Sequence, residues 1–151
     1  MEGGHHIPFD IARVYYLFDV PANAKRGGHA HKKLERVIFA LSGSFRIIID
    51  GGKQKQEYWL KDPSRGLYIN QLVWTDLDSF SANTVCVVLA SHRYDEEDYY
   101  RDYDEFLDAV LQDCKLFPFS IFAQLIESLK QRLAKRFQVY STVGGTFWDL
   151  R

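Results

Sequence analysis

From Arg13 to Ala90 the apolar positions fall into short β-branched and aromatic runs broken by turn residues, with no helical period among them. The runs predict strands over Arg13–Asp19, Glu35–Ser42, Gly43–Asp50, Lys55–Leu60, Gly66–Ile69, Trp74–Phe80 and Thr84–Ser91, with Asp50-Gly51-Gly52 as a hairpin turn. Such spacing belongs to an antiparallel sandwich or barrel. Two runs, Phe45–Ile49 and Val85–Leu89, are almost continuously apolar. They read as strands covered on both faces, by a second sheet or by a partner chain in a homodimer.

Beyond Ser91 the pattern changes. Tyr94 to Glu105 is rich in charge and tyrosine and reads as a solvated loop leading into a short helix. Between Phe119 and Phe137, Ile121, Phe122, Leu125, Ile126, Leu129 and Leu133 recur every three or four positions, with Lys130, Arg132, Lys135 and Arg136 in the later turns. That predicts an amphipathic helix, with its basic end suited to the helix dipole and its apolar face packed on the barrel or on a partner rather than on a membrane. The expected organisation is an all-β domain over residues 1–107 followed by a helical extension over 108–151.

Composition narrows the function. A chain of 151 residues suits one domain with an appendage. Nineteen basic and twenty acidic side chains leave a net charge of -1, so no global field draws in nucleic acid or an anionic membrane. Two cysteines, Cys86 and Cys114, are too few for a secreted disulfide framework and suit a reducing compartment. The first residues lack the pattern of a signal peptide, and no apolar run is long enough to span a bilayer. A cytoplasmic protein is expected, without nucleic-acid or membrane partners. Aromatic residues make up 15% of the chain, enough to furnish both a β-core and a pocket for flat ligands.

The chemistry is concentrated in Arg26-Gly27-Gly28-His29-Ala30-His31. On an extended segment side chains two apart share a face, so His29 and His31 project together. The glycines permit a tight turn or close approach to a ligand, and Arg26 offers a forked cation for a phosphate. Imidazole, with an ordinary pKa of about 6.5, accepts and returns protons near neutrality. Gly28-His29-Ala30-His31-Lys32-Lys33-Leu34-Glu35, followed by Gly43, resembles the first motif of the cupins, in which two His and a Glu ligate a metal. The expected fold is therefore a cupin or jelly-roll β-barrel. The second motif of metal-binding cupins supplies a further His, and Gly66 to Trp74 contains none. Lys32 and Lys33 also disfavour a dication, so no metal is expected.

A longer resemblance follows. Arg13-Val14-Tyr15-Tyr16 through Lys32-Lys33, then Ala40-Leu41-Ser42-Gly43-Ser44, Asp62 to Ile69, Val88-Leu89-Ala90-Ser91 and Tyr100 to Leu107 together resemble the dTDP-sugar 3,4-ketoisomerases, the WxcM-like cupins. The resemblance covers about residues 7 to 107 and implies conversion of dTDP-4-keto-6-deoxyglucose into a dTDP-3-keto-6-deoxyhexose, without a cofactor, on the way to 3-amino sugars of bacterial surface glycans. It implies His29 as the base at C3, with His31 shuttling a proton or holding the enediolate. Arg26 is similar to the phosphate-binding Arg of the related epimerases. Arg13 and Tyr15, on one strand face, and Tyr68 and Trp74, in the second motif, are candidates for the sugar or thymine pocket.

Three departures from that family stand out. Members carry an extra N-terminal strand before the position of His5 to Phe9, expected to be missing from this domain. Asn70-Gln71-Leu72 replaces Pro-Pro-Gly, and Glu35 stands where others have a neutral residue. A 3,5-epimerase, a non-catalytic sugar-nucleotide-binding cupin and a metal-dependent oxygenase remain as alternatives at this stage.

Overall fold

The computed structural model describes residues 3, 4, 6–116, 140–142 and 145–149. The helix expected over Phe119–Phe137 lies outside the described residues. The strands are β1 (Arg13–Leu17), β2 (Arg26–His31), β3 (Arg36–Ser42), β4 (Phe45–Asp50), β5 (Lys55–Leu60), β6 (Arg65–Ile69), β7 (Trp74–Asp78), β8 (Val85–Ala90) and β9 (Tyr99–Tyr100). Helix α1 (Tyr103–Leu116) follows, and β10 (Tyr140–Thr142) and β11 (Gly145–Asp149) form a terminal hairpin. Seven of these strands match the expected runs to within two residues at each end. The part of the 108–151 extension described here is thus mixed: the end of α1 and a hairpin that adds to the sheet at β6, pairing Gly145 with Ile69 and Asp149 with Arg65.

Two antiparallel sheets result, ordered β1-β8-β3-β6-β11-β10 and β5-β4-β7-β2-β9. The side chains between them follow the two-residue period of the strands. Phe45, Ile47 and Ile49 of β4, Ile38 and Ala40 of β3, Leu77 of β7, and Cys86 and Val88 of β8 bury completely or nearly so in one cluster. Phe45 and Phe80 stack within it, ring centroids 5.4 Å apart.

The two continuous apolar runs differ in how they are covered. In β4 the alternate residues Arg46 and Ile48 are only half-buried, so one face is packed and the other is partly solvated. In β8 the second face is covered in part by the chain's own N-terminal segment, instead of the expected second sheet or partner: Ile7 and Phe9 pack over Val37, Phe39 and Leu89, with Val87 half-buried beside them.

Candidate active site

At one end of the space between the sheets the inward positions turn from apolar to polar. Arg13 and Tyr15 of β1 pair across Ala90 and Val88 of β8, which pair in turn with Arg36 and Ile38 of β3. That register puts Arg13, Tyr15 and Arg36 on one face. From the opposite sheet come His29 and His31 of β2 and Thr75 of β7, with His29 paired to Thr75.

A bulge in β2 makes this possible. Gly27 pairs with Asp76 and His29 with Thr75, so Gly28 is an extra residue between them. Gly27 has φ +88°, and a Cβ there would come within 2.3 Å of the Thr75 carbonyl oxygen. Only glycine fits. The imidazoles of His29 and His31 consequently stand edge to face, centroids 5.0 Å apart, with the Tyr99 ring 5.0 and 4.3 Å from them.

The two histidines are held differently. His31 is 2% exposed, and its Nδ1 lies 3.0 Å from Oδ2 of Asp98. That carboxylate is fixed in turn, since its Oδ1 accepts from the Lys33 amide and the Lys32 amide donates to the Asp98 carbonyl. Against a carboxylate, Nδ1 carries the proton and Nε2 the lone pair. Nε2 of His31 is buried and has no hydrogen-bond partner among the described residues. Nε2 of His29, by contrast, lies 3.1 Å from Nη1 of Arg36. A guanidinium only donates, so this nitrogen accepts and its lone pair is engaged.

Burial first, and the Arg36 charge second, lower both imidazoles; His29 falls to about 4 and His31 further still. Both are neutral at physiological pH. For His31 the buried, positively charged surroundings outweigh the nearby carboxylate. Tyr15 is pushed up by burial and keeps its phenolic proton. Arg13 Nε is the other buried side-chain polar atom without a partner among the described residues. Its guanidinium sits 4.9 and 5.5 Å from the centroids of Tyr15 and Tyr94. Over Tyr99 lies Arg101, 4.5 Å from the ring and ion-paired to Glu96.

Of the residues expected at the site, His29, His31, Arg13 and Tyr15 converge. Arg26 stands exposed at the outer end of β2, donating to the Lys25 carbonyl. Tyr68 and Trp74 do not line this space, because strand alternation turns both away. Tyr68 pairs with Val37 on the opposite face of its sheet, where its hydroxyl donates to Glu35 at 2.8 Å beside Phe9. Trp74 packs outward against Tyr103 and Phe106. Glu35, the third position of the metal motif, therefore faces away from the histidines. Among the described residues no three His, Cys, Asp or Glu side chains gather as a metal site.

Arg36, Thr75, Asp98 and Tyr99 were not singled out from the sequence. Arg36 at the start of an apolar strand was the available signal, since a cation at an inward position is rarely buried without purpose.

Fold and site together define a cupin-like protein with two buried, neutral imidazoles set between its sheets. Within that class the chain belongs to the WxcM-like C-terminal family (FdtA), whose model matches residues 1–111. A TDP-4-oxo-6-deoxy-alpha-D-glucose-3,4-oxoisomerase of Aneurinibacillus thermoaerophilus is 50% identical over 106 residues, 70% of this chain and 76% of the relative. Among solved structures, a histidine-to-asparagine mutant of the 3,4-ketoisomerase QdtA from Thermoanaerobacterium thermosaccharolyticum, in complex with TDP-4-keto-6-deoxyglucose, is 44% identical. It superposes with a TM-score of 0.73 over 74% of this chain and 81% of that one. A 3,4-ketoisomerase from Helicobacter canadensis is 41% identical, with a TM-score of 0.71 over 73% and 83%. No helix among the described residues is long and apolar enough to cross a membrane.

Proposed function

We propose that this chain is a cofactor-independent 3,4-ketoisomerase that moves the carbonyl of TDP-4-keto-6-deoxyglucose from C4 to C3. The observation that carries the reading is the neutral Nε2 of His31, unpartnered among the described residues, oriented by the Asp98 contact at Nδ1 and buried between the sheets. The activities of the family's relatives supply the substrate.

A carbonyl at C4 acidifies the C3–H bond. Nε2 of His31 takes that proton, the electron pair forms the C3=C4 double bond, and the C4 carbonyl oxygen becomes the enediolate oxygen. The O3 proton then passes to the enediolate oxygen at C4, the His31 imidazolium returns its proton to C4, and C3 becomes the carbonyl beside a C4 hydroxyl. C3 is oxidised as C4 is reduced, so electrons balance within the sugar and no redox cofactor enters. The protonated Tyr15 phenol, on the same strand face as Arg13, is assigned to donate to an oxygen of the intermediate.

This assigns the base to His31 rather than His29. Support comes from the engagement of His29 Nε2 by Arg36, which leaves His29 to wall and orient the site. Arg13 meets the substrate through its orphaned Nε, and exposed Arg26, three positions before His29, is assigned to the diphosphate. The strand orders, with β8-β3-β6 facing β4-β7-β2, support the jelly-roll reading of the fold.

Incubation with TDP-4-keto-6-deoxyglucose in deuterated water, followed by proton NMR, tests the proposal. A 3-keto-6-deoxyhexose product is expected. Deuterium at C3 and C5 with the carbonyl still at C4 would indicate an epimerase, and binding without exchange a sugar-nucleotide-binding protein; either result overturns the reading.

A further inference from the structure

Arg36 opens β3, whose next inward residues, Ile38 and Ala40, belong to the apolar cluster. It is 3% exposed, yet no carboxylate lies within ion-pairing distance of its guanidinium among the described residues. Its partners are neutral: Nη1 donates to His29 Nε2 at 3.1 Å, Nη2 donates to Thr75 Oγ1 at 2.6 Å, and the Tyr15 phenol is beside it. Removing a cation from water without a counter-charge costs several kcal/mol, and an apolar side chain of similar volume is commonly as stable or more so. Arg36 is therefore poorly explained as a fold-stabilising residue.

We propose that Arg36 is a positioning residue for the isomerisation: its guanidinium locks His29 in the Nδ1–H form and keeps the inner end of the site positive for an enediolate. The inference rests on the ketoisomerase reading given above. The groups facing the histidines are Arg13 and Tyr15 from β1, Arg36 from β3, Thr75 from β7, Tyr99 from β9, and Glu96, Asp98 and Arg101 from the adjoining segment. Of the charged groups, Arg36 lies closest to His29, and its charge also lowers His31. Loss of that charge lets the imidazoles take up protons at higher pH, which consumes the base.

The test compares Arg36→Met and Arg36→Lys with the unsubstituted protein. Arg36→Met is expected to fold with a raised Tm, to bind TDP as before, and to lose about 10²-fold in kcat with KM within about threefold. The acid limb of its kcat profile moves to higher pH. Arg36→Lys, which keeps charge but not the fork, recovers part of the lost kcat. A methionine variant within about threefold of the parent kcat, with its acid limb unmoved, overturns the proposal. So does a lysine variant no better than methionine.

Nitrogen-15 NMR of the unsubstituted protein keeps the test sound if Arg36→Met fails to fold. His29 is expected as the Nδ1–H tautomer with no titration down to about pH 5, and a midpoint near its ordinary value of about 6.5 overturns the proposal. This arm needs no turnover. A parent protein inactive on TDP-4-keto-6-deoxyglucose defeats the ketoisomerase reading, while the His29 midpoint compared between parent and Arg36→Met still decides whether Arg36 acts on His29.

Discussion

The two ends of the space between the sheets are built by the same strands and serve opposite purposes. At one end Phe45, Ile47, Leu77 and Phe80 close into an apolar cluster. At the other Arg13, Tyr15, His29, His31, Arg36 and Thr75 occupy equivalent inward positions and leave two buried polar atoms unpartnered. Single strands run through both: β3 passes from Arg36 to Ile38 and Ala40, and β7 from Thr75 to Leu77. A change of residue type at one or two inward positions per strand converts core into site, with the sheet pairing intact. The apolar end supplies the stability against which the polar end's buried charge is held.

That contrast can be broken most severely from the apolar end. Phe45→Ala removes a fully buried ring and its stacking on Phe80, and about 3–5 kcal/mol of unfolding free energy should be lost in denaturant titration. Turnover well below the variant's Tm should stay within about twofold of the parent, because the histidines are untouched. A large loss of kcat in folded Phe45→Ala would show that the two ends are not separable.

Acid separates them next. His29 is held at about 4 in the folded chain against about 6.5 unfolded, so its folded-state pKa is depressed. Above pH 6.5 both states carry it neutral. As pH falls toward 4 the unfolded state binds the proton first, and His29 alone removes roughly 3 kcal/mol of stability across that window. Denaturant midpoints between pH 7 and 4 measure the loss. His29→Asn should flatten that slope, whereas an unchanged slope would contradict the buried, neutral imidazole.

Asp98→Asn acts only at the polar end. Without the carboxylate, His31 is free to take the other tautomer, and kcat should fall about 10²-fold with TDP affinity retained. Full activity in this variant would remove Asp98 from the account. The smallest effect is expected on the outer face: Tyr68→Phe deletes the hydrogen bond to Glu35, costs about 1 kcal/mol in stability and leaves kcat unchanged. A kcat effect there would place Tyr68 back at the site.

Much of the fold was legible because β-strands write their burial into the chain with a period of two. The runs ending at Asp50 and Leu60, and the turn residues between them, located β4 and β5 closely. The His29-Ala30-His31 spacing correctly put two imidazoles on one face. What surrounds them was not legible, because it depends on pairing between distant segments. Asp98 reaches His31 across 67 positions, and Thr75 reaches Arg36 across 39. Tyr68 and Trp74 illustrate the converse. Their proximity to the second motif was readable, but which face each presents is fixed by register, and a one-residue difference reverses it. The β11 pairing with β6 had no local signal at all.

The central claim is that His31, not His29, is the base. It is tested most directly by His31→Asn, with TDP affinity and exchange of the C3 hydrogen of TDP-4-keto-6-deoxyglucose measured on one preparation in deuterated water. The account predicts TDP binding like the parent's and no C3 exchange or 3-keto product above background. C3 exchange in His31→Asn at the parent rate would contradict it.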